Sequence, residues 1–209
     1  MVLSEKKLRF QLPDPEPHPA ERILDVVIEM LESGGYDAVQ LREVARRARI
    51  GLGTIYKLFP TRDDLIVTAI EHWMDIHTYA ELAQPVPGET LYDGLMRVFR
   101  DVYEPWERSP RMLEAFHRAR SGPGGERLQL QGANAIVPVM RAVLRRGDPV
   151  YVHDVGAVLT SVAHGLIARF AAGEIDIAEI LPTLERAVFR ITTNNEPAAR
   201  ATSGSRGAR

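Results

Sequence analysis

The chain contains no cysteine, which excludes a disulfide frame, a Cys-ligated zinc and a thiol nucleophile, and fits a reducing interior. It also lacks a long unbroken apolar run. The most apolar stretch, Val155 to Ala172, is interrupted by His164 and Arg169, so no transmembrane span is expected. Glu5, Lys6, Lys7 and Arg9 are followed by prolines, without the apolar core of a signal peptide, and the expected location is cytoplasmic. Neither sign of charge is in excess: Lys+Arg 26 against Asp+Glu 28 leaves a formal charge of -2. That excludes a polybasic DNA-coating protein and an acidic disordered one, so any surface for nucleic acid must be local.

Signatures of catalysis and of cofactor binding are missing as well. There is no G-x-S-x-G, no H-E-x-x-H and no Gly-Lys-Ser/Thr phosphate loop. Gly51-Leu52-Gly53 lacks the third glycine of a dinucleotide fingerprint and lies between two helical stretches, where that fingerprint needs a preceding strand. His72 and His77 stand about 140° apart around an ideal helix, unsuitable for a shared metal. His153-Asp154 and the Ser161/His164 pair read better as polar residues of a helix bundle than as catalytic groups, and His117-Arg118 as a solvated helix edge. The expectation is a protein with no catalytic residue, no metal and no cofactor.

What is present is helical period almost throughout, within a composition that is 45% hydrophobic and sufficient for a real core. Ile23, Val26, Val27, Met30 and Leu31 recur at i, i+3, i+4, i+7 and i+8, and Gly34-Gly35 closes that helix. Leu41, Val44, Ala45 and Ala48 mark a second helix; Ile55, Leu58 and Phe59 mark a very short third, stopped by Pro60. Thr61-Arg62-Asp63-Asp64 has the form of a helix cap, and a fourth helix is expected from Thr61 to about Tyr79. After Pro85-Val86-Pro87-Gly88 come a fifth helix through Trp106, a sixth around Met112 to Phe116, and a seventh from Ala133 to Leu144 with Pro138 placed to kink it. The eighth, about 150–172, is apolar almost all round, and the ninth carries Leu181, Leu184, Val188 and Ile191, with Pro182 near its start. The fold class is all-α with about nine helices. The division expected is an arm at 1–19, a three-helix head at 20–65 linked through helix 61–79, a larger helical body at 80–196, and a tail at 197–209.

Charge is concentrated where the helices are shortest. Between Gln40 and Arg62 stand Arg42, Arg46, Arg47, Arg49, Lys57 and Arg62 against the single acid Glu43, a local +5. Two short helices joined by a Gly-containing turn have the layout of a helix-turn-helix, whose second helix enters the major groove. On that helix Ile55 and Phe59 are expected to face inward. Gly53, Thr54, Tyr56 and Lys57 remain for the groove and its phosphate walls, with Gly53 allowing close backbone approach.

The stretch from Tyr36 to Ala45, YDAVQLREVA, followed by Gly53 to Leu65, GTIYKLFPTRDDL, closely resembles the N-terminal DNA-binding domain of the TetR family of bacterial repressors. The resemblance covers roughly residues 20–70. It implies a homodimeric, ligand-responsive regulator in which the Gly-Thr-Ile-Tyr segment is the recognition helix. By that resemblance Thr54, Tyr56 and Arg62 hold DNA phosphates, Gln40 anchors the second helix against the DNA backbone, Arg42 reads a base or a phosphate, and Lys57 faces the groove. Leu58 stands where the family often has Tyr or His, and Arg62 replaces the usual Lys, which keeps the charge and changes its geometry. The region after Ala80 is more weakly similar to the ligand domains of actinobacterial regulators of steroid and lipid catabolism.

One head offers too few side chains to choose an operator, and a two-fold dimer doubles the readout. The dimer surface is expected on helices 150–172 and 177–194, where Gly156 and Gly165 permit close approach. A small apolar effector is expected among the fifth, sixth and seventh helices, with Phe99, Tyr103, Trp106, Met112, Phe116 and Met140 as candidate walls. Alternatives from other classes are a small helical enzyme or lipid carrier that uses the same apolar pocket, and a protein-interaction adaptor.

Overall fold

The computed structural model describes residues 18–193 except 83 and 146. The expected tail, 197–209, and all but the last two residues of the expected arm lie outside that range. Those last two belong to the first helix. His18 is the N-cap of α1 (Pro19–Gly34), its backbone N–H donating to Glu21 Oε2 at 3.1 Å. Pro19 occupies the first helical position, where a missing N–H costs nothing.

Every described residue in regular structure is helical. A 3-10 turn (Tyr36–Ala38) leads to α2 (Leu41–Ala48) and α3 (Leu52–Leu58), and Thr61 then caps α4 (Arg62–Met74), accepting from the Asp64 N–H at 3.0 Å. The fourth helix was expected to run regularly to Tyr79. It stops being α-helical at Met74 and continues as a π-helical turn, Asp75–Tyr79. A π turn widens the ladder by one residue and resets which side chains face inward: Thr78 is buried while Ile76 is half exposed.

The body consists of α5 (Leu91–Arg108), α6 (Pro110–Arg120), α7 (Gly125–Leu144), α8 (Pro149–Ala171), a 3-10 turn (Ile177–Glu179) and α9 (Ile180–Thr192). Pro105 lies inside α5 and Pro138 inside α7, and neither divides its helix. Pro182 falls in the first turn of α9, where its missing donor has no intrahelical partner to lose.

In the head, α1 packs on α2, α4 and α6, burying Ile23, Leu24, Val27, Met30 and Leu31. Each such side chain contributes about 1.5–3 kcal/mol of hydrophobic stabilisation. In the body, α5 packs against α7 and α9, and α8 against α6 and α9. Expected to be apolar almost all round, α8 packs within the chain on one face: Val155, Leu159, Ala163, Leu166 and Ile167 are buried. Its other face is open, with Val150 68% and Val158 46% exposed, and a Cβ built on Gly156 or Gly165 meets nothing within 4 Å. By length and mean hydropathy (1.3) α8 is the one described helix able to cross a bilayer. Ser161 and His164, expected to be polar residues of the bundle, are exposed on it.

Candidate nucleic-acid interface

The short helices are positioned by their ends. The last residue before the turn, Arg49, adopts a left-handed conformation (φ 54), and the Ile50 N–H returns to the Ala45 carbonyl at 3.0 Å. That six-to-one bond closes α2 and reverses the chain. Gly51 is extended (φ -64), so the residue that needs positive φ in this turn is an arginine and not the neighbouring glycine. The Gly51 carbonyl accepts from the N–H groups of Thr54 and Ile55, at 2.9 and 3.3 Å, and starts α3.

Ile55 on α3 is fully buried and Phe59, the C-cap, nearly so, and they fix the roll of the helix. The same roll exposes Gly53, Thr54, Tyr56 and Lys57 as one surface, as the spacing required. Tyr56 is 51% exposed, and no Cβ contact limits approach at Gly53. The Tyr56 phenol is half in water with no hydrogen-bond partner among the described residues, so its hydroxyl is open to a partner from outside.

Not all the positive charge is free. Arg46 and Arg47 both bind Glu43, at 2.6 and 2.8 Å, and these bonds hold the Glu43 carboxyl down to about 2. Arg22 donates to the Ala48 carbonyl at 2.6 Å. Arg62, expected at a phosphate, is occupied inside the head: Nε donates to the Val39 carbonyl at 2.7 Å and Nη2 to the Tyr36 carbonyl at 2.5 Å. A forked guanidinium can hold two carbonyls at once, which the family's usual lysine does less well. Gln40 is the N-cap of α2 without a side-chain cap bond, and its Nε2 donates to the Asp37 carbonyl at 3.1 Å. Arg42, Arg49 and Lys57 are exposed, and none of their side chains has a hydrogen bond or ion pair among the described residues.

The expected effector walls are core residues. Phe99, Tyr103, Trp106 and Met112 are buried, while Phe116 and Met140 are partly so. The Trp106 ring lies 5.2 Å from Phe116 and 4.5 Å from Trp73, so the aromatic core of the body touches α4 directly. Burial pushes the Tyr103 hydroxyl well above the usual phenol range. A cavity of about 420 Å³ opens elsewhere, between the start of α8 and the end of α9, lined by Asp148, Val150, Tyr151, Asp154, Val155, Val158 and Ile191. None of the expected wall residues lines it.

Sequence reasoning missed the contacts that join head to body. Arg118, read as a solvated edge, bonds Asp37 at 2.7 Å. Arg127 on α7 bonds Asp64 at 2.7 Å and Thr68 at 3.1 Å, and also reaches Glu71. Gln131 donates to the Glu71 carbonyl at 2.9 Å and to Asp75 at 2.7 Å. These partners lie between 56 and 81 residues apart, and no local pattern marks them.

A supporting helix packed on α1 and followed, after a tight turn, by a short helix that exposes one polar face is the arrangement of a helix-turn-helix DNA-binding protein. Comparison with known proteins agrees. Residues 23–69 match the family model described as bacterial regulatory proteins, tetR family. Residues 88–191 match a tetracyclin repressor-like C-terminal domain. The chain belongs to the TetR family. Among curated proteins it is similar to the HTH-type transcriptional repressors KstR. The Mycobacterium tuberculosis protein is 33% identical over 118 residues, 56% of this chain and 52% of that one. The Rhodococcus jostii protein is 31% identical over 99 residues, 47% and 46%. The match thus spans about half the length of these curated relatives. Among solved structures, a TetR transcriptional regulator from Rhodococcus sp. RHA1 superposes with a TM-score of 0.63 at 22% identity, covering 84% of this chain and 96% of that one. One from Agrobacterium tumefaciens gives 0.59 at 20%, covering 83% and 93%. These likenesses show the same fold.

Proposed function

We propose that the protein is a homodimeric transcriptional repressor of the bacterial cytoplasm, which reads a near-palindromic operator through the major groove and is controlled by a small apolar effector. The observation that carries this reading is the roll of α3. Burial of Ile55 and Phe59 leaves Thr54, Tyr56 and Lys57 together on an open surface, beside the unpaired cations Arg42 and Arg49. Among the described residues, no side-chain hydrogen bond or ion pair uses these groups.

Dimerisation is supported by the open apolar faces of α8 and α9. Val150, Val158 and Phe189 are exposed, and Gly156 and Gly165 leave room for close backbone approach. Two heads held by such a pair would meet half-sites about one helical turn, roughly 34–36 Å, apart. For the effector, the support is the apolar interior of the body and its contact with α4 through Trp73 and Trp106. A ligand that favours one tilt of α4 would change the separation of the heads, and only such differential affinity can shift DNA binding.

The experiment is selection of duplexes from a random pool by the purified protein, followed by mobility shift on the winner. A palindromic consensus bound by a dimer is the expected result. Recovery of no sequence preference, with binding insensitive to salt, would refute the reading. Native mass spectrometry of the protein as purified then asks for a retained apolar molecule.

A further inference from the structure

Covalently, the head joins the body only through α4, yet side chains from the body reach past it. At the loop between α1 and α2, three elements converge on one partly buried ring. Arg118, near the end of α6, donates from Nη1 to Asp37 Oδ2 at 2.7 Å, and its guanidinium lies 4.3 Å from the centroid of the Tyr36 ring. Arg62, at the start of α4, lies 4.7 Å from the same centroid while it holds the Val39 and Tyr36 carbonyls. The Tyr36 hydroxyl donates to Asp63 Oδ1 at 2.8 Å.

The physics of this cluster is specific. A guanidinium is attracted to an aromatic face, but two cations on one ring repel each other unless anions stand close by. Asp37 and Asp63 supply them: the Arg118 bond holds the Asp37 carboxyl below its ordinary range. Arg118 is therefore neutralised by a partner of its own, unlike Arg42, Arg49 and Lys57. The ring and Asp37 lie in the 3-10 turn immediately before Gln40 and α2. Whatever fixes that turn fixes the direction in which α2 and α3 are presented.

We propose that Arg118 is a positioning residue for DNA binding: reaching from the body into the head, it sets the orientation of the reading helices through Tyr36 and Asp37 and touches no phosphate itself. The inference rests on the DNA-binding reading above and deepens it. It also gives α6 a link to the head that is separate from α4. Without the link the head samples more directions, and each binding event must order it again.

The test compares Arg118→Ala, Arg118→Lys and Tyr36→Phe with the wild-type chain, on the duplex selected by the wild type. Arg118→Ala is expected to weaken binding about five- to tenfold, the low end of coupling between sites, with an unchanged slope of log affinity against log salt. Hydrogen exchange without DNA is expected to quicken in residues 36–42 and not in α5. Tyr36→Phe keeps the ring and should bind nearly as the wild type, while Arg118→Lys keeps charge without the planar stack and should fall between. Unchanged affinity and unchanged exchange in Arg118→Ala would overturn the proposal. So would a slope shallower by about two in a dimer, because Arg118 would then be a phosphate contact. If the wild type selects no duplex, the DNA reading fails, and the exchange comparison still decides whether Arg118 holds the turn.

Discussion

Replacing Arg49 by glycine should make the protein more stable and a poorer DNA binder at the same time. Arg49 is the one non-glycine residue with positive φ among the described residues, while Gly35, Gly88, Gly124 and Gly173 take the other such positions. Holding an L-residue in the left-handed region costs about 1–2 kcal/mol, and glycine removes that cost. The looser unfolded chain of the variant returns about 0.4–1 kcal/mol of the gain. At the midpoints of these ranges a net stabilisation of about 0.8 kcal/mol remains, which raises Tm by about 2–3 °C in a chain of this size. The same change deletes one of three unpaired cations in each head, Arg42, Arg49 and Lys57. Six phosphate contacts in a dimer give a salt slope of about -5.4, and four give about -3.6. Differential scanning calorimetry reads the first quantity and a salt series on the selected duplex reads the second. A fall in Tm would show that the Arg49 side chain supports the turn. An unchanged slope would show that it never meets the DNA. A backbone strain kept at a functional surface requires both results together.

Tyr56→Phe should weaken operator binding by roughly 1.5–3 kcal/mol, the value of a hydrogen bond to a charged phosphate. Its circular dichroism and Tm should stay unchanged because the hydroxyl has no partner among the described residues; a loss of fold would make Tyr56 a structural residue. Phe189→Glu places a charge on an exposed apolar site of α9, 55% open in one chain, so the protein should stay folded but sediment as a monomer. A dimer of normal strength would put the interface elsewhere. Glu43 is held at about 2 against an ordinary 4.5 by Arg46 and Arg47. Its stabilising effect on α2 is therefore complete above about 4.5 and is lost as pH falls toward 2. An NMR titration of the Glu43 carboxyl with a midpoint at the ordinary value would dissolve that pairing.

Periodicity made the helical class legible, because an amphipathic helix writes its buried face into every third and fourth residue, as Ile23, Val27 and Met30 do. The recognition surface was legible for the same reason: Ile55 and Phe59 must lie inside, and the residues between them are left outside. Helix irregularity was less so. Nothing in the hydrophobic spacing announced that α4 would give way to a π turn at Asp75, since a one-residue widening preserves composition and only exchanges which side chains face in.

Sequence alone determined the helical elements, the place of the cationic turn and the exposure of Gly53, Thr54, Tyr56 and Lys57 on α3, because these follow from local sterics and from the partition of apolar side chains. Tertiary structure decided which charges are free. Arg62 turned inward to two carbonyls, and Arg118, 81 residues from Asp37, joined the head, whereas the pairing of Glu43 with Arg46 and Arg47 follows the local i,i+3 and i,i+4 spacing of α2. A charge acts through its surroundings in three dimensions, and folding brings those surroundings together from parts of the chain that no local pattern connects.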